Sequence, residues 1–306
     1  MIRILNLVYK FIRSILRKIL FPKFNSNYYY LTKNKIYRAP SLKQISIIRQ
    51  FAKEEWNPSS FRIVKKVLEI VSANNPIILD IGANVGYYAI VYSKLLNKYG
   101  GRCISFEPAS INSSTFLYNT KNLHNTLLFA FGLGAVSESI KLSIPQIYKS
   151  LDKDMENTGL LSSAILSSED NTAYKSTVFP LDSIQDGIIY KKERIVYVKI
   201  DVEGYELKVI RGGIETIRNH MPVIQIEFNP IILNLEDRQE ILNTLYGLGY
   251  ITFSSKPFRI NEDNEIFFVD NKNLALVEMC SQSVELSAFH FIEQKLRRNN
   301  SNEPII

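Results

Sequence analysis

Cysteine is nearly missing from this chain of 306 residues: only Cys103 and Cys280 occur, far apart. That spacing disfavours both a disulfide framework and a cysteine-based zinc site. Histidine is almost as scarce. His124, His220 and His290 are the whole supply, and none ends a strand expected in a parallel sheet, so a histidine base is disfavoured too. Acids are absent from the first 53 positions, which hold 12 Lys or Arg; the first acid is Glu54. The other 253 residues hold 25 basic and 30 acidic side chains, a balance of −5. The net charge of +7 therefore belongs to an N-terminal arm on a mildly acidic body, an asymmetry suited to an arm that meets a negatively charged surface. No apolar run reaches the roughly 20 residues of a membrane-spanning helix. No small-residue cleavage site follows the first apolar segment, so a signal peptide is not expected. Internal repeats and low-complexity tracts are lacking as well. Hydrophobic content of 46% and charged content of 22% are ordinary for a soluble globular protein, and the length suffices for a sizeable core. The expected compartment is the cytoplasm, with peripheral contact at the inner membrane face open through the arm.

In MIRILNLVYKFIRSILRKILF, polar residues stand at positions 3, 6, 10, 13, 14, 17 and 18. Helical spacing gathers them on one narrow face and leaves Ile, Leu, Val, Tyr and Phe around the rest. Such a basic amphipathic helix suits a membrane interface through residues 1–22. It suits equally a helix packed on the body or on a second copy of the chain. Nucleic-acid binding is a weaker third reading: the apolar face is wasted on phosphates, although NSNYYYL at 25–31 offers rings for stacking.

From residue 60 the chain alternates. FRIVKKVLEIVSA predicts a helix, PIILDIG a buried strand, and VGYYAIVYSKLLNKYG a helix stopped by Gly100 and Gly101. RCISFEP predicts a second strand, residues 110–122 a helix, and TLLFAFGLG a third strand. This order predicts an α/β fold: a doubly wound, mostly parallel sheet of Rossmann-like type, with a helical arm before it. Residues 135–195 are less regular, with strands at IKLSIP and YKSTVF, the latter leading into a turn at PLDSI, and a polar loop at LDKDMENTGLLSSAIL. RIVYVKID is a strand, YELKVIRGGIETIRNH one helix, PVIQIEFNP a strand, and EDRQEILNTLYGLG a helix capped by Asp237 or Asn234. YITFSS and NEIFFVDN make a hairpin-like ending. The expected organisation is an arm at 1–55, a catalytic-type domain at 56–275, and a helical tail at 276–306.

ILDIGANVGYY, residues 78–88, carries the most chemistry. Asp80 ends a strand, and Gly82 and Gly86 bracket the turn into a helix. Glycines there let backbone approach a ligand and leave helix N–H groups pointing at it. The third glycine of the dinucleotide fingerprint is absent, which weakens a nicotinamide or flavin reading. Glu107, after the second strand, is placed to accept both hydroxyls of a ribose. Asp80 beside the glycines disfavours a phosphate. A cationic, phosphate-free nucleoside fits better, and S-adenosylmethionine is such a ligand.

LDIGANVGYY, SFEP, PLDSI, VKIDVEGYELKVIRGG and PVIQIEFNP stand in this order and at these separations, and in them the chain resembles the FkbM-family methyltransferases over roughly residues 76–230. The family belongs to the class I S-adenosylmethionine-dependent enzymes. The resemblance implies that Asp80, Gly82, Asn84 and Gly86 hold the methionine end and ribose side of the cofactor and that Glu107 binds the ribose hydroxyls. It implies an acceptor hydroxyl on a sugar, glycolipid or secondary metabolite. One departure is Ala135 after GLG, where the family often has an acid or amide.

In a doubly wound sheet, ligands bind at the carboxyl ends of the strands near the switch point. Asp201 ends the strand expected beside the first, and Glu227 ends the next. Two carboxylates thus face the place of methyl transfer, with Asp201 the first candidate for base or acceptor positioning and Glu227 the second. A divalent ion on Asp201, Glu227 and Asn229 is a further reading. Glu206 and Glu203 suit the first turn of a helix. Lys199 is placed to pair with a neighbouring carboxylate. Rival functions are a nucleic-acid methyltransferase, against which DVEG stands where base-modifying enzymes carry an Asn-Pro-Pro-aromatic motif, and a non-catalytic cofactor-binding protein.

Overall fold

The computed structural model describes residues 28–31, 36–39, 58–142, 174–254, 264–282 and 290–292. The amphipathic segment at 1–22 and the polar stretch at 151–166 lie outside these. Strands β1 (Tyr28–Leu31) and β2 (Ile36–Ala39) pair as an antiparallel ribbon, rich in the aromatic and β-branched residues that favour strands. The ribbon falls within the stretch expected to be a helical arm. Tyr37 is buried, and β2 lies against the body's helix at Ser110–Thr120.

The body follows the alternation expected. It runs α1 (Pro58–Val71), β3 (Pro76–Ile81), α2 (Tyr87–Asn97), β4 (Arg102–Phe106), α3 (Ser110–Thr120) and β5 (Thr126–Phe129). Strands β6 (Gly132–Leu133), β7 (Glu138–Leu142) and β8 (Tyr174–Phe179) form a separate three-stranded sheet, ordered β6-β8-β7. Then come α4 (Leu181–Ile188), β9 (Arg194–Ile200), α5 (Glu206–Gly212), α6 (Ile214–His220), β10 (Val223–Phe228) and α7 (Leu235–Leu248). The chain goes on through β11 (Tyr250–Ser254), β12 (Asn264–Asp270), α8 (Leu274–Gln282) and β13 (His290–Ile292). The main sheet has the order β13-β11-β12-β10-β9-β3-β4-β5. From β10 to β5 it is parallel, and β12, β11 and β13 add antiparallel pairs. β11 and β12 are the expected hairpin-like ending, but the sheet continues past residue 275: the tail contributes a helix and then the edge strand β13.

Alternation along each strand splits the core into two layers. Ile77, Leu79 and Ile81 pack with Leu181, Leu207, Ile210, Ile217 and Ile241 of α4 to α7. Ile78 packs with Val64, Val67, Ala89, Tyr92 and Leu276 of α1, α2 and α8. The same parity puts Asp80 on the α2 side. The turn expected at PLDSI is the helix α4, and the single helix expected after Gly204 is two. Asp182 explains the break: its carboxylate accepts from the amides of Glu215 (3.0 Å) and Thr216 (2.8 Å), capping α6 from another part of the chain. At α7 the cap is Asn234, whose Oδ1 accepts from the Asp237 amide at 2.8 Å. Asn234→Ala is expected to cost about 1 kcal/mol, read as a lower urea midpoint with an unchanged slope. Among the described residues, no helix is long and apolar enough to cross a membrane.

Candidate active site

Two windings of the main sheet diverge between β3 and β9. β3-α2-β4-α3-β5 runs one way, and β9-α5-α6-β10-α7 runs the other. The crevice at the carboxyl ends of these strands is where such a sheet receives ligands. A cavity of about 320 Å³ opens there. Its walls include Gly82 and Asn84 after β3, Glu107 after β4, Asp201 and Glu203 after β9, and Glu227 near the end of β10. Ile140, Leu142 and Val178 of the small sheet form an apolar wall with Leu133 and Phe106.

The glycine turn is built by contact. Gly82 has φ +82°, and a Cβ placed on it would lie 1.8 Å from the carbonyl oxygen of Asp201. Its amide and that of Ala83 both donate to the Phe106 carbonyl at 3.0 Å, which ties the turn to β4. Asn84 is also left-handed, at φ +50°. Its amide donates to Glu107 Oε2 at 2.8 Å. Glu107 Oε1 accepts from the Ala109 amide at 2.9 Å and from Asn112 Nδ2 at 3.4 Å. The carboxylate is thus fixed at the cavity wall, one oxygen toward each loop. Burial lifts its pKa to about 7, against the pull of those three donors.

Asp80 and Gly86 do not line the cavity. Asp80 is fully buried beneath it, facing α2, and neither carboxylate oxygen meets a hydrogen-bond partner among the described residues. Burial raises its pKa to about 6, with Lys199 lowering it and Asp201 raising it. Gly86 opens α2 behind the turn, against the ring of Phe116. Both shape the turn from behind.

At the other end of the cavity three charges meet. Lys199 Nζ lies 2.7 Å from Asp201 Oδ2 and 4.3 Å from the centre of the Tyr88 ring. Burial opposes the ammonium, but Asp201, Tyr88 and Asp80 more than offset it, so its pKa rises. Burial likewise opposes the Asp201 anion; Lys199 and a hydrogen bond from Glu227 reverse this and hold Asp201 below the usual carboxylate range. The Asp201 charge, with burial, pushes Glu227 well above the usual carboxylate range. Of the two carboxyls, Glu227 is thus the one whose surroundings favour the proton, and Asp201 the one whose surroundings favour the charge.

Glu206 is structural, as the sequence suggested. Its carboxylate accepts from the amides of Val202 (3.1 Å) and Gly204 (3.0 Å), folding the DVEG loop back on itself. The loop leaves Glu203 at φ +57° on the cavity wall. Burial raises the Glu206 pKa to about 7 against those amides. The metal reading does not fit these residues. Lys199 already neutralises Asp201, and Asn229 Oδ1 accepts from the Ile231 amide at 3.0 Å. Among the described residues no three acidic, histidine or cysteine side chains converge as a metal site would require. Sequence reasoning missed Asn112, the apolar wall of the small sheet, and the depth of Lys199. The alternation in ESIKL, with Ile140 and Leu142 buried between exposed residues, was the available signal for the wall.

A protein-family model described as the methyltransferase FkbM domain matches residues 80–252, more than half of the chain. No curated protein sequence matches. Among solved structures, an FkbM methyltransferase from Methylobacillus flagellatus aligns at 16% identity and TM-score 0.42, over 72% of this chain and 60% of that one. This chain thus spans less than two thirds of that protein. An O-methyltransferase from Bacillus cereus in complex with SAH aligns at 13% identity and TM-score 0.40, over 83% and 94%. Fibrillarin from Aeropyrum pernix, with natively bound S-adenosyl-L-methionine, aligns at 12% identity and TM-score 0.39, over 81% and 84%. With its strand order and its turn built on Gly82 and Gly86, the chain belongs to the FkbM family of S-adenosylmethionine-dependent methyltransferases.

Proposed function

We propose that this enzyme methylates a hydroxyl group of a sugar, glycolipid or secondary metabolite. The observation that carries this reading is the pair Asp201 and Glu227. Adjacent strands bring the two together at one end of a cavity whose other end holds a buried ribose-type acid, Glu107. The residues present suit the cofactor: Glu107 for the ribose hydroxyls, the Gly82–Asn84 backbone for close approach, and Leu133, Phe106 and Pro108 for a base. The acidic surroundings suit a cation. When bound, the cofactor supplies an electrophilic methyl on sulfur. Asp201 would hold the acceptor's hydroxyl and take its proton as the methyl group is transferred to that oxygen. Glu227, protonated, donates a hydrogen bond beside it. Among the described residues that line the cavity, Lys199 is the one cation and it is already paired with Asp201, so a phosphodiester substrate meets no spare positive charge there.

Calorimetry with S-adenosylmethionine and S-adenosylhomocysteine tests the site, with Glu107→Ala and Asp80→Ala beside the parent. Binding lost in both variants supports it; absence of binding by folded parent protein overturns it. A pH series sharpens the test. The folded state favours neutral Asp80, Glu107 and Glu206, so the stability these groups contribute is full below their ordinary pKa values near 4. It is lost as pH rises through about 6 to 7. A ligand that donates hydroxyls to Glu107 favours its anion. Cofactor affinity should therefore fall about tenfold from its plateau to pH 6, reflecting the Glu107 pKa of about 7. In Glu107→Gln the affinity should be lower overall, because the new amide faces the Asn84 N–H, and the Glu107-dependent slope should disappear.

A further inference from the structure

We propose that Lys199 is a positioning residue for methyl transfer: its buried ammonium, held between Asp201, Asp80 and the Tyr88 ring, fixes Asp201 as the proton-accepting member of the pair and leaves the proton on Glu227. The inference rests on the reading of Asp201 as proton acceptor and deepens it. Lys199 is 3% exposed, on β9 next to β3, and its register partners are Asp80 on β3 and Gln225 on β10. Alternation turns it, like Tyr197 two residues before, toward α2, and Tyr88 at the start of α2 covers its ammonium at 4.3 Å. A buried ammonium is costly unless an anion neutralises it. The contact at 2.7 Å is with Asp201, while Asp80 lies further off on the neighbouring strand. The groups facing Lys199 are therefore Asp201 from its own strand, Asp80 from β3, Tyr88 from α2 and Glu227 from β10. Asp201 and Glu227 each follow one residue after the register partners Ile200 and Ile226 on adjacent strands, so a proton between the two carboxyls has two places to sit. Lys199 touches only Asp201, and this breaks the symmetry. Methyl transfer needs that asymmetry, because the hydroxyl proton must leave toward one defined atom as the new C–O bond forms.

The test reads charge states without cofactor or acceptor, so its outcome is separate from that of any transfer assay. Side-chain carboxyls are labelled with ¹³C in Asp and Glu and titrated by NMR, with Asp201→Asn and Glu227→Gln assigning the signals. In the parent, Asp201 should stay ionised to below its ordinary range and Glu227 should remain protonated at pH 7. In Lys199→Met, the Asp201 midpoint should rise by about 1–3 units, the span expected for loss of an adjacent opposite charge. Lys199→Arg should restore the parent behaviour, which a purely structural role would not require. An unchanged Asp201 midpoint in folded Lys199→Met overturns the proposal, as does an ionised Glu227 at pH 7 in the parent. If Lys199→Met does not fold, Asp201→Asn carries the test. The slowly exchanging ¹⁵N ammonium signal of Lys199 should be lost and the Glu227 midpoint should fall by more than one unit. Persistence of both overturns it.

Discussion

Asp201→Asn is expected to lower methyl transfer by about 10²- to 10⁴-fold, the range for losing a positioned proton acceptor. S-adenosylhomocysteine binding should change little. The physical case begins at the end of β9. Asp201 takes its place there because its amide donates to the Ile81 carbonyl at 3.0 Å, so β3 and β9 end together. Its side chain remains 31% exposed while Lys199 beside it is 3% exposed, so of the two charges that line the cavity the anion is the more open to it. An amide in its place keeps the shape and loses the charge. It cannot take up a hydroxyl proton at neutral pH, and the ammonium is left beside a neutral group. The variant also removes the negative charge that keeps Glu227 protonated, so Glu227 should ionise more readily and supply part of the residual rate. That predicts an activity remnant in Asp201→Asn that rises with pH and vanishes in the double variant with Glu227→Gln. Transfer of a labelled methyl group to a panel of sugar and lipid-linked acceptors is the measurement. Normal turnover in Asp201→Asn would remove Asp201 from the chemistry. Loss of S-adenosylhomocysteine binding would move it to the cofactor.

Much of this site was legible because it lies where strands end. A run such as RIVYVKID or PVIQIEF reads as a strand from its apolar, β-branched residues, and the first acid at or near its end marks the ligand side of the sheet. Asp201, Glu227 and Glu107 were found that way. Asp80 shows how far the same rule goes. It also sits at a strand end, but Ile78 and Asp80 share a face, and that face packs under α2. Counting parity along PIILDI separates it from a residue exposed to the cavity. Lys199 was harder, because a lysine inside a strand usually reads as a solvent-facing residue or an edge. Its burial depends on Asp201 two residues on and on Tyr88 from another element. The cap that Asp182 places on α6 could not be read at all. It joins positions 33 and 34 residues apart; the Gly212–Gly213 pair in YELKVIRGGIETI marks a kink at the break between α5 and α6 but says nothing of the residue that caps it. The ribbon of β1 and β2 was hidden for a different reason: a strongly basic, apolar first segment suggested that its helical pattern extended to residue 55.

Gly82→Ala, the exchange of a single hydrogen for a methyl, is expected to be strongly damaging. The residue sits at φ +82°, a conformation that costs an ordinary residue about 1–3 kcal/mol. The added Cβ would lie 1.8 Å from the carbonyl oxygen of Asp201 and 2.8 Å from its carbonyl carbon. Those atoms are backbone, so no rotamer change relieves the contact. The turn cannot retreat either: the amides of Gly82 and Ala83 hold it to Phe106 on one side, and Asp201 is held to Ile81 on the other. Something in this three-strand junction must move, and each part belongs to the site. Retreat of the turn displaces Asn84 from Glu107; retreat of the strand end displaces Asp201 from Lys199. We expect a loss of about 3 kcal/mol or more in urea unfolding, together with weakened cofactor binding and turnover reduced to the level of Asp201→Asn. Gly187→Ala supplies the contrast. That glycine lies in helix α4 with nothing within 4 Å of the position a Cβ would take. There the same methyl should be neutral or stabilise by about 0.5–1 kcal/mol, because it restricts the unfolded chain and meets no obstacle. If both substitutions behave alike, close packing between the turn and the Asp201 backbone is not what sets the geometry of the site. If only Gly82→Ala fails, the cofactor turn and the proton acceptor are one mechanical unit.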